Sequence, residues 1–270
     1  MTAARGNGKL ARMKHPERRL LNTVHVEAVP AWLARARGNA SARRLAQSDW
    51  LLRRKRDGRF LAAIAGAAVH PLDGVRLAAE PGVGAALTAI ARDAGTIVEL
   101  DPNAQPFSEL AIPADYGAVH GLHAMAEPAV LQLAEFDRYR RPLWLHADAA
   151  RAWRSLRGAA HRDGVMLDAI SGYRSHAYQY GIFARKLAHG QTLEQILTVN
   201  TPPGYSEHHS GRAIDIGAPG QPPAEESFEA TPAFAWLTQH AGAFGFTLSY
   251  PRDNPHGIVY EPWHWAYRDR

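Results

Sequence analysis

Two imidazoles and a carboxylate stand at His208, Asp215 and His264. They fall within Ser206-Glu207-His208-His209-Ser210-Gly211-Arg212-Ala213-Ile214-Asp215 and Glu261-Pro262-Trp263-His264-Trp265. Three nitrogen and oxygen donors that leave a fourth position to water make a catalytic zinc centre, whereas structural zinc is closed by four protein ligands. Glu261, three residues before His264, is a spare carboxylate of the kind that serves such a water as general base. The chemistry this set suits is metal-assisted hydrolysis. Imidazole and carboxylate suit zinc, although geometry and availability decide between metals. A His and an Asp seven apart, or Glu-x-x-His alone, are weak patterns, and the reading rests on their joint occurrence.

A third segment, Ser171-Gly172-Tyr173-Arg174-Ser175, lies upstream. Together, Ser-Gly-Tyr-Arg-Ser, Ser206-x-His208-x-x-Gly211-x-Ala213-x-Asp215 and Glu261-x-x-His264 resemble the ordered motifs of zinc D-alanyl-D-alanine carboxypeptidases of the vancomycin-resistance type. That group shares a metal core with lysostaphin-like peptidases and hedgehog domains. The resemblance covers residues 128–270 and implies an α+β fold, a small antiparallel sheet with flanking helices carrying the zinc site. It implies that His208, Asp215 and His264 bind Zn2+, that Glu261 moves the proton from water to the leaving amine, and that Arg174 steadies the oxyanion. It further implies that Ser206 and Gln179 hold substrate, although Ser206 could instead stabilise a turn and Gln179 could be a solvated helix residue. The implied substrates are peptidoglycan stem peptides, with loss of a terminal D-alanine as the leading reaction. L,D-carboxypeptidase, endopeptidase and non-catalytic binding-module readings are the alternatives. Glu261 and Arg174 argue against mere binding, which needs neither a base nor an oxyanion partner.

The elements that must position these residues follow from pattern. Arg212–Ile216 alternates as a half-buried strand, with His208 in the turn before it between Gly204 and Gly211. Trp263, Trp265 and Tyr267 alternate with His264 and Ala266 as a second strand, with Glu261 at its entrance, held extended by Pro262. Val165–Ile170 reads as a strand delivering the Arg174 corner, and His176–Ala188 as a helix ending near Gly190. Asp148 is expected to cap a helix to about His161, and Thr192 with Gln195 to form a capping box. Thr231-Pro232 starts another helix, running to about Ala243. His209 reads as a group behind the ligands or at the surface, and His120 and His123 as ordinary loop histidines.

The first 127 residues match no motif and read as a separate, N-terminal α/β region. Residues 1–40 are expected to be flexible. Helices are expected over Ala42–Arg56 and Val83–Ala94, a buried strand or helix over Phe60–Val69, a strand over Thr96–Leu100 and a loop over Pro102–Asp115. Residues 1–60 hold 15 Lys/Arg against 4 Asp/Glu, so the basic charge is concentrated at the N-terminus. Such an arm suits anionic envelope polymers, though a solvated extension is the simpler reading, and no base-reading motif accompanies it. The absence of cysteine excludes disulfides and thiolate metal sites. No apolar run approaches the roughly 20 residues of a membrane span. Met1–Leu10 is basic without a following apolar run and so does not read as a secretory signal. The substrate suggests the cell envelope or periplasm, and cytoplasmic recycling of wall fragments is the alternative.

Overall fold

Short apolar runs separated by Gly, Pro and Asp turns favour hairpins over long helices in the first half of the chain. The computed structural model describes residues 18–269. Its first five strands, β1 (Arg19–Leu21), β2 (Val26–Pro30), β3 (Trp50–Arg54), β4 (Phe60–Ala65) and β5 (Ala68–Pro71), pair consecutively and antiparallel. Helix α1 (Asn39–Ala46) lies between β2 and β3, and α2 (Val83–Arg92) and α3 (Tyr116–Val119) follow β5. The chain then returns: β6 (Val130–Phe136) pairs with β1, and β7 (Pro142–Leu145) closes a seven-stranded sheet in the order β5-β4-β3-β2-β1-β6-β7.

Both faces of this sheet are apolar. Leu21, Ala28, Leu52 and Ile64 face Val83, Ala86 and Ala89 of α2, while Leu20, Val29, Leu51 and Ala63 join Leu131, Leu133 and Trp144 in a second cluster. Each large aliphatic side chain so buried contributes about 1.5–3 kcal/mol. Strand β7 links two cores through its period-two alternation. Trp144 belongs to the N-terminal cluster, whereas Leu143 and Leu145 pack into the cluster of the second half.

That second half contains α4 (Ala147–Arg162), β8 (Asp168–Ser171), α5 (His176–Ala188), α6 (Leu193–Leu197), β9 (Ala213–Gly217), α7 (Pro232–His240), β10 (Phe246–Leu248) and β11 (His264–Tyr267). Its four strands form an antiparallel sheet in the order β10-β11-β9-β8. Trp153 and Leu156 of α4, Trp236 and Leu237 of α7, and Ile214, Ile216 and Trp265 of the sheet fill its core. The chain is thus α+β, with the expected small antiparallel sheet carrying the motifs. The sheet pairing of β1 with β6 runs across the boundary expected at residues 127 and 128.

Several local expectations are corrected. The helix expected over Ala42–Arg56 stops at Ala46, and Trp50–Arg54 is a strand, because Trp50, Leu51 and Leu52 bury against both faces of the sheet. Of the flexible stretch expected over residues 1–40, residues 1–17 lie outside the described residues, while β1 and β2 are interior strands. Thr96–Leu100 forms only a single bridge, Val98 to Glu127. The cap of α4 is His146, whose side chain accepts from Asp148 N, rather than Asp148. Strand β9 is buried along its whole length, not half-buried, because it is interior to its sheet and covered on both faces. The capping box at Thr192 and Gln195 and the Thr231 cap of α7 are present as expected.

Candidate metal centre

Strand register places the two distal motifs side by side: Asp215 on β9 is directly opposite His264 on β11, and Ser171 at the end of β8 flanks Asp215 on the other side. His208 reaches the same point from a short 3-10 turn, Glu207–Ser210, just before β9. That turn ends on Gly211 at φ 67°, where a Cβ would meet the Leu131 side chain at 2.6 Å and His146 N at 2.9 Å. Only glycine fits both the backbone and the space. Gly172 is constrained by contact instead, since a Cβ there would lie 2.8 Å from Trp144 O.

The hydrogen bonds fix the tautomers. His208 Nδ1 lies 2.7 Å from Gly172 O, so it donates, leaving the Nε2 lone pair facing Asp215 Oδ1 at 3.2 Å. His264 Nε2 lies 2.8 Å from Glu207 Oε2, while its Nδ1 faces the same Asp215 oxygen at 3.2 Å. Ligand atoms of His208, Asp215 and His264 all lie within 4.8 Å of one another. Zinc–ligand bonds of about 2.0–2.1 Å place tetrahedral donors roughly 3.3 Å apart, close to the observed spacing. His208 Nε2 is buried with no hydrogen-bond partner, an orphan nitrogen that ligation would satisfy.

The electrostatics favour a cation at the same point. Burial works against a charged His264, yet hydrogen bonds to Asp215 and Glu207 outweigh it and push its pKa up to about 10. Asp215 stays well below the ordinary carboxylate range, because His208, His264 and Arg174 outweigh its burial. His208 is held neutral, lowered to about 4 by burial and by Arg174. The proton shared between His264 Nδ1 and Asp215 occupies the point that a divalent ion bound to the same two atoms would take over. The donor set fits zinc.

The other expected residues gather around these three. Glu261 Oε2 lies 3.8 Å from His264 Nδ1, and burial, aided by Asp215 and Glu207, pushes its pKa up to about 7. A carboxylate poised near neutrality is suited to taking and returning protons. Arg174 Nη2 donates to Asp215 Oδ2 at 3.0 Å, and its buried Nε has no partner. Gln179 is buried, not solvated: its amide donates to Thr201 O at 2.8 Å, while its Oε1 is unpartnered. Ser206 is buried and makes no side-chain capping bond. All seven residues line one cavity of about 490 Å³.

Two supporting groups, Glu207 and Glu127, escaped the sequence reading, whereas His209 lies behind the ligands, one of the two places expected for it. Glu207 accepts from His264 Nε2 and pairs with Arg268, so it orients a ligand rather than being one. His209 is fully buried behind the ligands: its Nδ1 donates to Arg174 O at 2.7 Å and its Nε2 accepts from Gly204 N at 3.1 Å. Glu127 accepts from Tyr173 OH, from His176 N at 2.8 Å, from Asn22 and from buried Lys55, anchoring the Arg174 corner to the N-terminal sheet. Glu207 adjoins a ligand in the sequence, and nothing in its type or spacing marks it as the group that orients His264. His120 and His256 do form a loop latch, each ring Nδ1 on the other's carbonyl oxygen.

The sequence model of the VanY D-alanyl-D-alanine carboxypeptidase family matches residues 142–270. The bifunctional D-Ala-D-Ala dipeptidase and D-Ala-D-Ala carboxypeptidase VanXYC of Enterococcus gallinarum is 30% identical over 159 residues, which are 55% of this chain and 78% of that protein. The chain belongs to the VanY family. YodJ of Bacillus subtilis is 32% identical over 136 residues, and the chain spans about half its length, 49%. Two solved VanY-family structures overlap 47% of this chain: VanYB in complex with D-alanine-D-alanine (31% identity, 72% of that chain, TM-score 0.41) and a VanY mutant in complex with Zn(II) (32%, 74%, 0.40). The VanY match begins at β7, the strand that contributes to both cores, and it contains all seven expected site residues.

Proposed function

We propose that this VanY-family protein is a zinc-dependent D,D-carboxypeptidase that removes the terminal D-alanine of peptidoglycan stem peptides. The observation that carries the reading is the convergence of two imidazole nitrogens on Asp215 Oδ1, each at 3.2 Å, with the Glu261 carboxylate 3.8 Å from one of them. His208 Nε2, Asp215 and His264 Nδ1 would hold the ion. Zinc, when bound, supplies Lewis acidity that polarises a carbonyl and acidifies water. Glu261 accepts the proton of the attacking water and returns it to the leaving amine. Arg174, a planar donor that stays charged, favours the developing oxyanion. The free Oε1 of Gln179 accepts from a substrate N–H, and the Ser206 hydroxyl lines the cavity beside it. Glu207 keeps the His264 tautomer, and the Gly172 carbonyl keeps that of His208.

In this reading residues 128–270 form the catalytic region and residues 1–127 a distinct one, bound to it through β6 and β7. The substrate assigns the protein to the cell envelope, where the basic N-terminal residues would meet anionic polymers. No helix among the described residues is long and apolar enough to cross a membrane. The test is mass spectrometry of a muropeptide pentapeptide incubated with zinc-loaded protein, with and without chelator. Chelator-sensitive loss of one alanine supports the proposal. An intact pentapeptide alongside a shortened tetrapeptide would move the specificity to L,D-cleavage.

A further inference from the structure

A second cavity, of about 420 Å³, adjoins the metal cleft and shares Arg141, Ser171, Arg174 and Tyr178 with it. Its far wall belongs to the N-terminal sheet, where Arg53 lies on β3 and Arg56 in the turn that follows, and α5 contributes Arg185. Six cationic side chains line it against three acidic ones. All three acids are already engaged: Glu27 by Arg53 at 2.7 Å, Asp137 by Arg141 at 2.7 Å, and Asp57 by Arg54. Arg56 and Arg185 are exposed and have no ion pair among the described residues. The cavity therefore offers guanidinium donors whose carboxylates are not supplied by the protein itself.

The metal-side cavity does not need them. Lys186 and Arg174 both line it, enough cationic character for one terminal carboxylate. A carboxypeptidase releases one small amino acid, so any further carboxylates of its substrate lie on the acyl side of the scissile bond. Guanidinium forks match carboxylates in shape and charge. We propose that Arg56 and Arg185, with Arg53 behind them, form a subsite for side-chain carboxylates of an acidic peptide substrate, upstream of the bond that is cut. This rests on the carboxypeptidase reading above, and it gives the N-terminal region a direct part in substrate choice.

Two acetylated peptides ending in D-Ala-D-Ala, identical except that two upstream residues carry carboxylates in one and carboxamides in the other, test it on the zinc-loaded full-length protein. The acidic peptide is expected to be preferred about tenfold in kcat/KM, mainly through KM, with the preference shrinking as salt rises. In the double variant Arg56→Ala, Arg185→Ala the preference collapses while kcat on the carboxamide peptide is unchanged. Equal kcat/KM for the two peptides in the native protein, or a preference that survives the double substitution, overturns the subsite. Should neither peptide be cut, the carboxypeptidase reading fails separately. Fluorescence anisotropy of the labelled peptides then decides the subsite: acid-selective binding lost in the double variant upholds it, and equal binding of both peptides rejects it.

Discussion

Asp215 and Glu127 are both buried carboxylates at the centre of a polar cluster, one in each half of the molecule, and both titrate below the ordinary range. Their neighbours differ. Glu127 is surrounded by hydrogens, from Lys55, Asn22, Tyr173 and the His176 amide, so its charge is satisfied within the fold. Asp215 accepts from Arg174 and shares the His264 Nδ1 proton, and the two imidazoles it faces have their far sides tied to Gly172 O and Glu207. A carboxylate among donors is architecture. A carboxylate among ligating nitrogens is a cation site, because its field is completed only by something from outside the chain.

The largest effects should separate the two clusters. Asp215→Ala and His264→Ala are expected to abolish zinc retention, measured by metal analysis after dialysis. Glu261→Gln should retain zinc and lose about 10²–10⁴-fold in kcat, the usual span for a general base. Wild-type turnover in that variant would remove Glu261 from the mechanism. On the other side of the comparison, Lys55→Met leaves the buried Glu127 charge without its cation and should cost about 3–5 kcal/mol in denaturant unfolding, with zinc stoichiometry of the folded protein unchanged. The double variant Lys55→Met, Glu127→Gln should recover most of that loss. The sign with pH follows from the same pair. Burial raises the Glu127 pKa, but Lys55 and the hydrogen bonds from Lys55 and Tyr173 outweigh it and leave it lowered. Its stabilisation is present above the unfolded value of about 4.3 and is lost as pH falls through the folded value. The acid limb of the stability curve should therefore be shallower in the double variant.

The two clusters were unequally legible in the sequence, and for a physical reason. Ligation restricts residue type and spacing, so His208, Asp215, His264 and Glu261 announce themselves as motifs on adjoining segments. Glu127 and Lys55 are 72 residues apart and could be any opposite charges. Their pairing exists only because β6 returns to β1, a long-range strand pairing that no local pattern encodes. The same holds for Trp50–Arg54, where helix-like composition yields to burial on both faces of a sheet. Gln179 was equally ambiguous, because helix periodicity cannot say whether a polar residue faces solvent or the cleft.

Glu207 offers the finest test of the comparison, because it belongs to the metal cluster yet behaves like Glu127, as a carboxylate engaged by donors. It takes the His264 Nε2 hydrogen at 2.8 Å and is paired with Arg268. If its work is to hold the ring so that Nδ1 faces Asp215, Glu207→Gln should weaken zinc binding by about 10–100-fold, as loss of such a supporting group does elsewhere. Turnover at saturating zinc should change far less, since Glu261 and Arg174 are untouched. The measurement is a chelator competition titration paired with kcat at excess zinc. Unchanged affinity would mean that packing against Tyr250, whose ring lies 4.9 Å from that of His264, suffices to orient the ligand. A loss of kcat that excess zinc does not restore would instead place Glu207 in the chemistry itself.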